Sequence, residues 1–154
     1  MGTYSATLRW ERGSHEFTDD NYSRGHTWEF DGGITVRASA SPQIVPLPNS
    51  VAEAVDPEEA FVAAISSCHL LTFLAIAAKR GYRVDTYVDE AVGYMEKNEA
   101  GRLAVTRVVL RPAATYSGDR APSRKDLEYM HHRAHEICFI ANSVKSEIVT
   151  EIIS

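Results

Sequence analysis

The sequence predicts an α+β domain in which antiparallel sheets surround one long, buried central helix. Strand-patterned segments lie before and between two helices instead of alternating with them one for one. The longer helix is apolar nearly all the way round, which marks an element buried on most sides. No Gly-x-Gly-x-x-Gly or Gly-Lys-Ser/Thr loop is present to cradle a phosphate, so the α/β nucleotide binders are set aside. A chain of 154 residues with 44% hydrophobic content suits a single domain over 1–154, without internal repeats.

Each element has a local cause. Tyr4, Ala6 and Leu8 alternate with polar residues. Residues 27–30 and 34–40 flank Asp31-Gly32-Gly33, whose turn chemistry predicts a hairpin. Pro42, Pro46 and Pro48 make 41–55 a loop. Asp56 is a good N-cap, Pro57 takes the first helical position and Glu59 completes a capping box. Lys79-Arg80-Gly81 ends the helix, so it spans 57–80. Residues 82–95 and 102–116 are β-rich and joined by a polar turn at 97–101, which predicts a second long hairpin. Ser123, with Asp126 three residues on, opens a second helix to about Phe139, and 146–153 alternates as a last strand.

Composition narrows the partners. A net charge of -5 with no basic stripe argues against nucleic acid and anionic membranes, since phosphate binding rests on clustered Lys and Arg. The apolar run Ala60–Ala78 is interrupted by Ser66, Ser67, His69 and Thr72 and reads as a core helix, not a membrane span. Met1-Gly2-Thr3-Tyr4-Ser5 carries no secretory pattern, so a cytoplasmic protein acting on a small molecule is expected. Two cysteines in such a protein are either inert core residues or a redox pair.

Cys68 falls mid-helix in Ser66-Ser67-Cys68-His69, a polar break in an apolar run. Small side chains there permit close helix packing; alternatively, Cys68 is a reactive thiol. A thiolate at mid-helix gets no help from the helix N-terminus, so the second reading demands a nearby cation, expected to be an arginine. Arg24, in a loop before a strand, is either a solvated surface residue or that cation. Glu58 suits the helix dipole as a first-turn carboxylate, which would suffice to explain it. On the second helix His131, His135 and Cys138 share a face at i, i+4 and i+7. That face is half-buried structure, a His/Cys metal site, or a resolving thiol beside proton carriers.

Asp56-Pro57-Glu58-Glu59 through Ser66-Ser67-Cys68-His69 resembles the signature of the OsmC/Ohr (organic hydroperoxide resistance) superfamily. In that signature a Pro-Glu pair opens the central helix and the peroxidatic Cys follows ten residues after the Glu. The late Ala134-His135-Glu136-Ile137-Cys138 matches the family's Ala-His-x-x-Cys, although Phe139 and Ile140 depart from what many members carry next. The resemblance implies an intertwined homodimer that reduces organic hydroperoxides without metal or organic cofactor. Cys68 would be peroxidatic and form a sulfenate, and Cys138 would resolve it as a disulfide. The family arginine falls on Arg24, with Arg37 the other candidate, and the family glutamate on Glu58. The electron donor would be a dithiol, lipoyl groups being the family expectation. The alternative is a member of the fold that binds a ligand or metal and lacks peroxidase activity, an idea kept open by the His-rich segment around His131-His132 and by the departure at Phe139. Glu58 and Cys68 are ten helical residues apart, about 15 Å at 1.5 Å per residue, so within one straight helix they cannot share a site.

Overall fold

The computed structural model describes residues 2–154, arranged as two compact units, Met1–Ala60 and Phe61–Ser154. In the first, β1 (Thr7–Arg9), β2 (His26–Glu29) and β3 (Thr35–Ala38) form an antiparallel sheet in chain order. The β2–β3 turn falls on Asp31-Gly32-Gly33, where Gly33 takes φ +97, a value that a side chain would strain. Residues 39–55 run as turns pinned by Ser39, whose Oγ accepts the Val51 N–H at 2.9 Å, and Val55 bridges back to Ala38.

Helix α1 (Pro57–Lys79) begins in the first unit and continues into the second. Its start is the capping box expected from the residues: Asp56 Oδ1 accepts the Glu59 N–H at 2.8 Å and Glu59 Oε1 accepts the Asp56 N–H at 3.1 Å. The second unit adds β4 (Arg83–Asp89), β5 (Val92–Lys97), β6 (Leu103–Leu110), β7 (Pro112–Ser117), α2 (Arg124–Ile137), a 3-10 turn at Ala141–Ser143 and β8 (Glu147–Thr150).

The second hairpin differs from expectation in being split between two sheets. β5 pairs β6 around the 98–101 turn, while β4 and β7 pair separately as a two-stranded sheet. The split has a visible cause at Asp89, whose carboxylate accepts the Arg111 N–H at 2.6 Å and the Ser66 hydroxyl at 2.5 Å. Pro112, which follows, has no N–H to continue the β6 ladder. The last strand also departs from an all-antiparallel pattern: β8 joins β6 in parallel, with Arg107 opposite Glu147. The chain has room for this crossover because β7 and α2 intervene.

Two apolar clusters hold the second unit. Ile65 of α1 packs with Val108 and Leu110 of β6. Phe73 and Ala77, further along α1, pack with Leu127, Met130 and Ala134 of α2. Within the chain α1 therefore buries an i, i+4 stripe of Ile65, His69, Phe73 and Ala77. Ala64, Ser67, Leu71, Ala75 and Ala78 on another face stay exposed, Leu71 at 63%. By length and composition α1 is apolar enough to cross a membrane, a test that a core helix also passes. Its mid-helix polar groups nevertheless have fold-specific partners, Ser66 with Asp89 and His69 with His131, as in a core helix.

Candidate active site

Both cysteines lie in the second unit, and the fold brings them together. Cys68 sits halfway along α1, partly exposed; Cys138 caps the C-terminus of α2 and is 1% exposed. Ser123 starts α2 with the expected capping box to Asp126, and the periodic burial of Leu127, Met130, His131 and Ala134 turns Cys138 inward. The helix stops there and the chain folds into the Ala141–Ser143 turn. That turn is held by Asn142 Nδ2 donating to the Glu136 carbonyl at 3.1 Å and by the Ser143 hydroxyl donating to the Phe139 carbonyl at 2.7 Å.

The two thiols are electrostatically unequal. Burial pushes the Cys68 thiol up, but hydrogen bonds from the Cys138 thiol and from the N–H groups of Ile140 and Phe139 outweigh it and leave its pKa below the ordinary thiol value. Cys138 is pushed up, first by burial and then by its bond to Cys68, against the opposing N–H groups of Ala141 and Ile140. Ala141 donates to Cys138 Sγ at 3.4 Å. Cys68 is thus the more readily ionised thiol of the pair and Cys138 the less. Alkylation of the reduced protein across pH is expected to modify Cys68 first, with Cys138 reacting only at higher pH. Equal titration of both, read by peptide mass, would contradict the assignment.

The backbone donors and Thr72 are what residue-type reasoning missed. Backbone N–H groups leave no mark in a sequence; the signal that could have found them is Cys138 at a helix end followed by Asn142 and Ser143, residues that shape turns. Thr72 lies one turn from Cys68, and its hydroxyl donates to the Cys68 carbonyl at 2.9 Å.

His69 and His131 meet in the core, Nε2 to Nδ1 at 2.9 Å, and Phe73 stacks on His131 at 4.2 Å. Burial drives His69 down to about 4, partly resisted by Asp89 and assisted by His135. Burial, then the neighbouring His69 and Arg124, takes His131 down to about 3. Both rings are neutral at pH 7 and share one proton across the bond. His131 Nε2 is buried without a partner among the described residues. His131, His132 and His135 line an open cleft of about 240 Å³ with Glu128, Ile148, Thr150 and Ile152. This is small for a ligand cavity. No three His, Cys, Asp or Glu side chains among the described residues are placed to share a metal ion.

Arg24 and Glu58 belong to the first unit. The Arg24 guanidinium donates to the carbonyls of Tyr22 at 2.6 Å and Asp20 at 3.0 Å, pairs with Asp20 Oδ1 at 3.1 Å, and stacks 3.6 Å over the Tyr22 ring. Glu58 Oε2 is shielded from solvent and has no hydrogen-bond partner among the described residues. Arg37 is exposed on β3.

An α+β chain with a long cysteine-bearing helix and a second cysteine capping the helix beside it defines a class, and comparison with known proteins places the chain in it. The chain belongs to the OsmC-like protein family, in the OsmC/Ohr superfamily; the family model matches residues 50–153. It is 60% identical to the OsmC-like protein of unknown function from Vibrio cholerae, with a TM-score of 0.98 over 99% of this chain and 100% of that one. An organic hydroperoxide resistance protein from Elizabethkingia anophelis shares the fold at 15% identity and TM-score 0.70, covering 99% of this chain and 94% of that one. The organic hydroperoxide resistance protein OhrB of Bacillus subtilis does so at 18% identity and TM-score 0.65, covering 98% of each chain. No curated protein matches the chain.

Proposed function

We propose that the protein is a thiol-dependent peroxidase that reduces organic hydroperoxides. The observation that carries this reading is the contact between a thiol held below its ordinary pKa and a second thiol held above it. Attack on a peroxide requires a thiolate, and resolution requires a second thiol within reach. The Cys68 thiolate attacks the terminal peroxide oxygen; an S–O bond forms, the O–O bond breaks and the alkoxide leaves, taking a proton to become the alcohol. The Cys138 sulfur then attacks the Cys68 sulfenic acid, releasing water and closing the disulfide. A dithiol of lipoyl type restores both thiols by exchange, as suits a cytoplasmic protein in a reducing compartment. Exposed apolar side chains beside Cys68, Leu71 at 63% and Phe139 at 76%, favour an alkyl group over hydrogen peroxide.

In this reading Arg24 steadies the thiolate and the peroxide oxygen, Glu58 orients the arginine, and the active form is a homodimer in which a second copy covers the exposed face of α1. The competing reading, a ligand- or metal-binding redox module, draws on the His-lined cleft. One assay separates them. Purified protein is given cumene hydroperoxide and a dithiol such as dihydrolipoamide, with Cys68→Ser beside it. Turnover is expected in the first and none above background in the second; turnover in neither, or equal turnover in both, would rule out the peroxidase.

A further inference from the structure

We infer that Asn142 and Ser143 are positioning residues for the resolving step: their side chains lock the turn after α2 so that the Ala141 N–H points at Cys138 Sγ and stabilises that sulfur as the attacking thiolate. This rests on the peroxidase reading. A resolving cysteine attacks as its thiolate, and a buried sulfur ionises more readily where a hydrogen-bond donor faces it. Cys138 is 1% exposed, and the Ala141 N–H donates to its Sγ at 3.4 Å. Ala141 lies three residues after Cys138, so its N–H returns to the sulfur only while the chain between them is tightly turned.

Backbone bonds alone hold this turn weakly. The Asn142 N–H donates to the Cys138 carbonyl and the Ser143 N–H to the Ile140 carbonyl, each at 3.0 Å. A 3-10 segment of three residues has poor hydrogen-bond geometry, and its N-cap, Ile140, supplies no side-chain bond. Two exposed polar side chains make up the deficit. Asn142 Nδ2 donates at 3.1 Å to the Glu136 carbonyl, one of those that α2 leaves orphaned at its end, and so spans Cys138. The Ser143 hydroxyl donates to the Phe139 carbonyl at 2.7 Å and closes the loop beyond it. Ile140 and Val144 pack against the Ile65, Val108 and Leu110 cluster, which seats the turn on α1 about one helical turn before Cys68.

The resolving step balances as follows. Once Cys68 is a sulfenic acid, Cys138 gives up its proton and the Ala141 N–H faces the new thiolate. The Cys138 sulfur attacks the Cys68 sulfur; the S–S bond forms, the S–O bond breaks, and hydroxide leaves and takes up the proton as water. The Cys138 sulfur is oxidised by one electron and the Cys68 sulfur reduced by one. In the reduced protein Cys68 is the titratable group that acts on Cys138, pushing it up as burial does; conversion of Cys68 to a neutral sulfenic acid relieves that repulsion and leaves the N–H groups of the turn to oppose burial.

The test reads ionisation and closure separately. Alkylation of Cys138 across pH in a Cys68→Ser background gives its titration without any peroxide. Disulfide closure is then followed in chains with both cysteines: reduced protein is mixed rapidly with excess cumene hydroperoxide and no reductant, and loss of the dimedone-trappable Cys68 sulfenic acid is measured across pH by peptide mass. Wild type is compared with Asn142→Ala, Ser143→Ala and the double variant, and Ser143→Thr, which keeps the hydroxyl, with Ser143→Val, which keeps only the shape. Near-ultraviolet circular dichroism checks that each is folded. In the double variant the Cys138 titration is expected to move up by about one pH unit and closure at pH 7 to slow about tenfold, the gap narrowing as rising pH ionises Cys138 in both proteins. Each single variant should show part of this, Ser143→Thr should match wild type and Ser143→Val should match Ser143→Ala. An unshifted Cys138 titration, closure slowed by one factor at every pH, or Thr and Val behaving alike at 143 would make the turn merely structural and overturn the inference, leaving the peroxidase in place. Failure of the peroxide to oxidise wild-type Cys68 would instead overturn the peroxidase reading, and the resolving role of Cys138 with it.

Discussion

Acidification from pH 7 to pH 4 is expected to destabilise the protein by on the order of 5 kcal/mol through His69 and His131 alone. Both rings are buried, at 1% and 2% exposure, and both are held far below an ordinary imidazole, to about 4 and about 3. The unfolded chain takes up protons on these rings as pH falls through about 6.5, while the folded chain does not do so until nearer 4 and 3. Because the folded pKa values are lowered, the stability is fully present above about 6.5 and is lost as pH falls towards the folded values. Asp89 and His135 are the other titratable groups acting on His69, the carboxylate opposing the shift and the second imidazole adding to it. The loss is comparable to the whole stability of a typical domain, so acid unfolding near pH 4 follows. The check is the urea midpoint from pH 7 to pH 4 in wild type and in a His69→Leu, His131→Phe double variant. Removing both partners leaves no orphaned nitrogen of the pair. The midpoint of the variant should fall much less steeply over this range; parallel curves would show that carboxylates elsewhere cause the acid loss.

Local features of this fold were legible in its residues, and non-local ones were not. The two capping boxes, Asp56 with Glu59 and Ser123 with Asp126, are each written within four residues and formed as expected. The Asp31-Gly32-Gly33 hairpin is equally local. The parallel pairing of β8 with β6 is set by where α2 leaves the chain, which alternation in 146–153 cannot express. The division of the second hairpin depends on Asp89 capturing the Arg111 N–H and the Ser66 hydroxyl, which combines three separate stretches. In the candidate site, the prominence of Cys68 and Cys138 came from family resemblance, since either could have been an ordinary buried thiol. The backbone donors of Phe139 and Ile140 had no residue-type signature. The His69–His131 bond spans 62 positions, and only the sharing of a face by His131 and Cys138 hinted at it.

The remaining large effect concerns Glu58 and tests the dimer directly. Structure leaves α1 unbroken from Pro57 to Lys79, so Glu58 and Cys68 are about 15 Å apart along one axis, too far to serve the same peroxide. Glu58 nonetheless carries a shielded carboxylate oxygen without a partner among the described residues, and α1 exposes Ala64, Ser67, Leu71, Ala75 and Ala78 along one face. A second copy lying against that face would bury it, and isologous pairing would build two composite sites, each with Cys68 and Cys138 of one subunit and Glu58 of the other. Arg24 could be supplied by either subunit. Glu58→Ala alone should then cost most of the activity, by releasing the arginine it orients. A heterodimer of one Cys68→Ser chain and one Glu58→Ala chain, isolated with two different affinity tags, concentrates both lesions in one composite site and leaves the other intact. About half of wild-type activity with cumene hydroperoxide is expected to return. If each site were instead built within a single chain, each subunit would carry one lesion and activity would stay near zero.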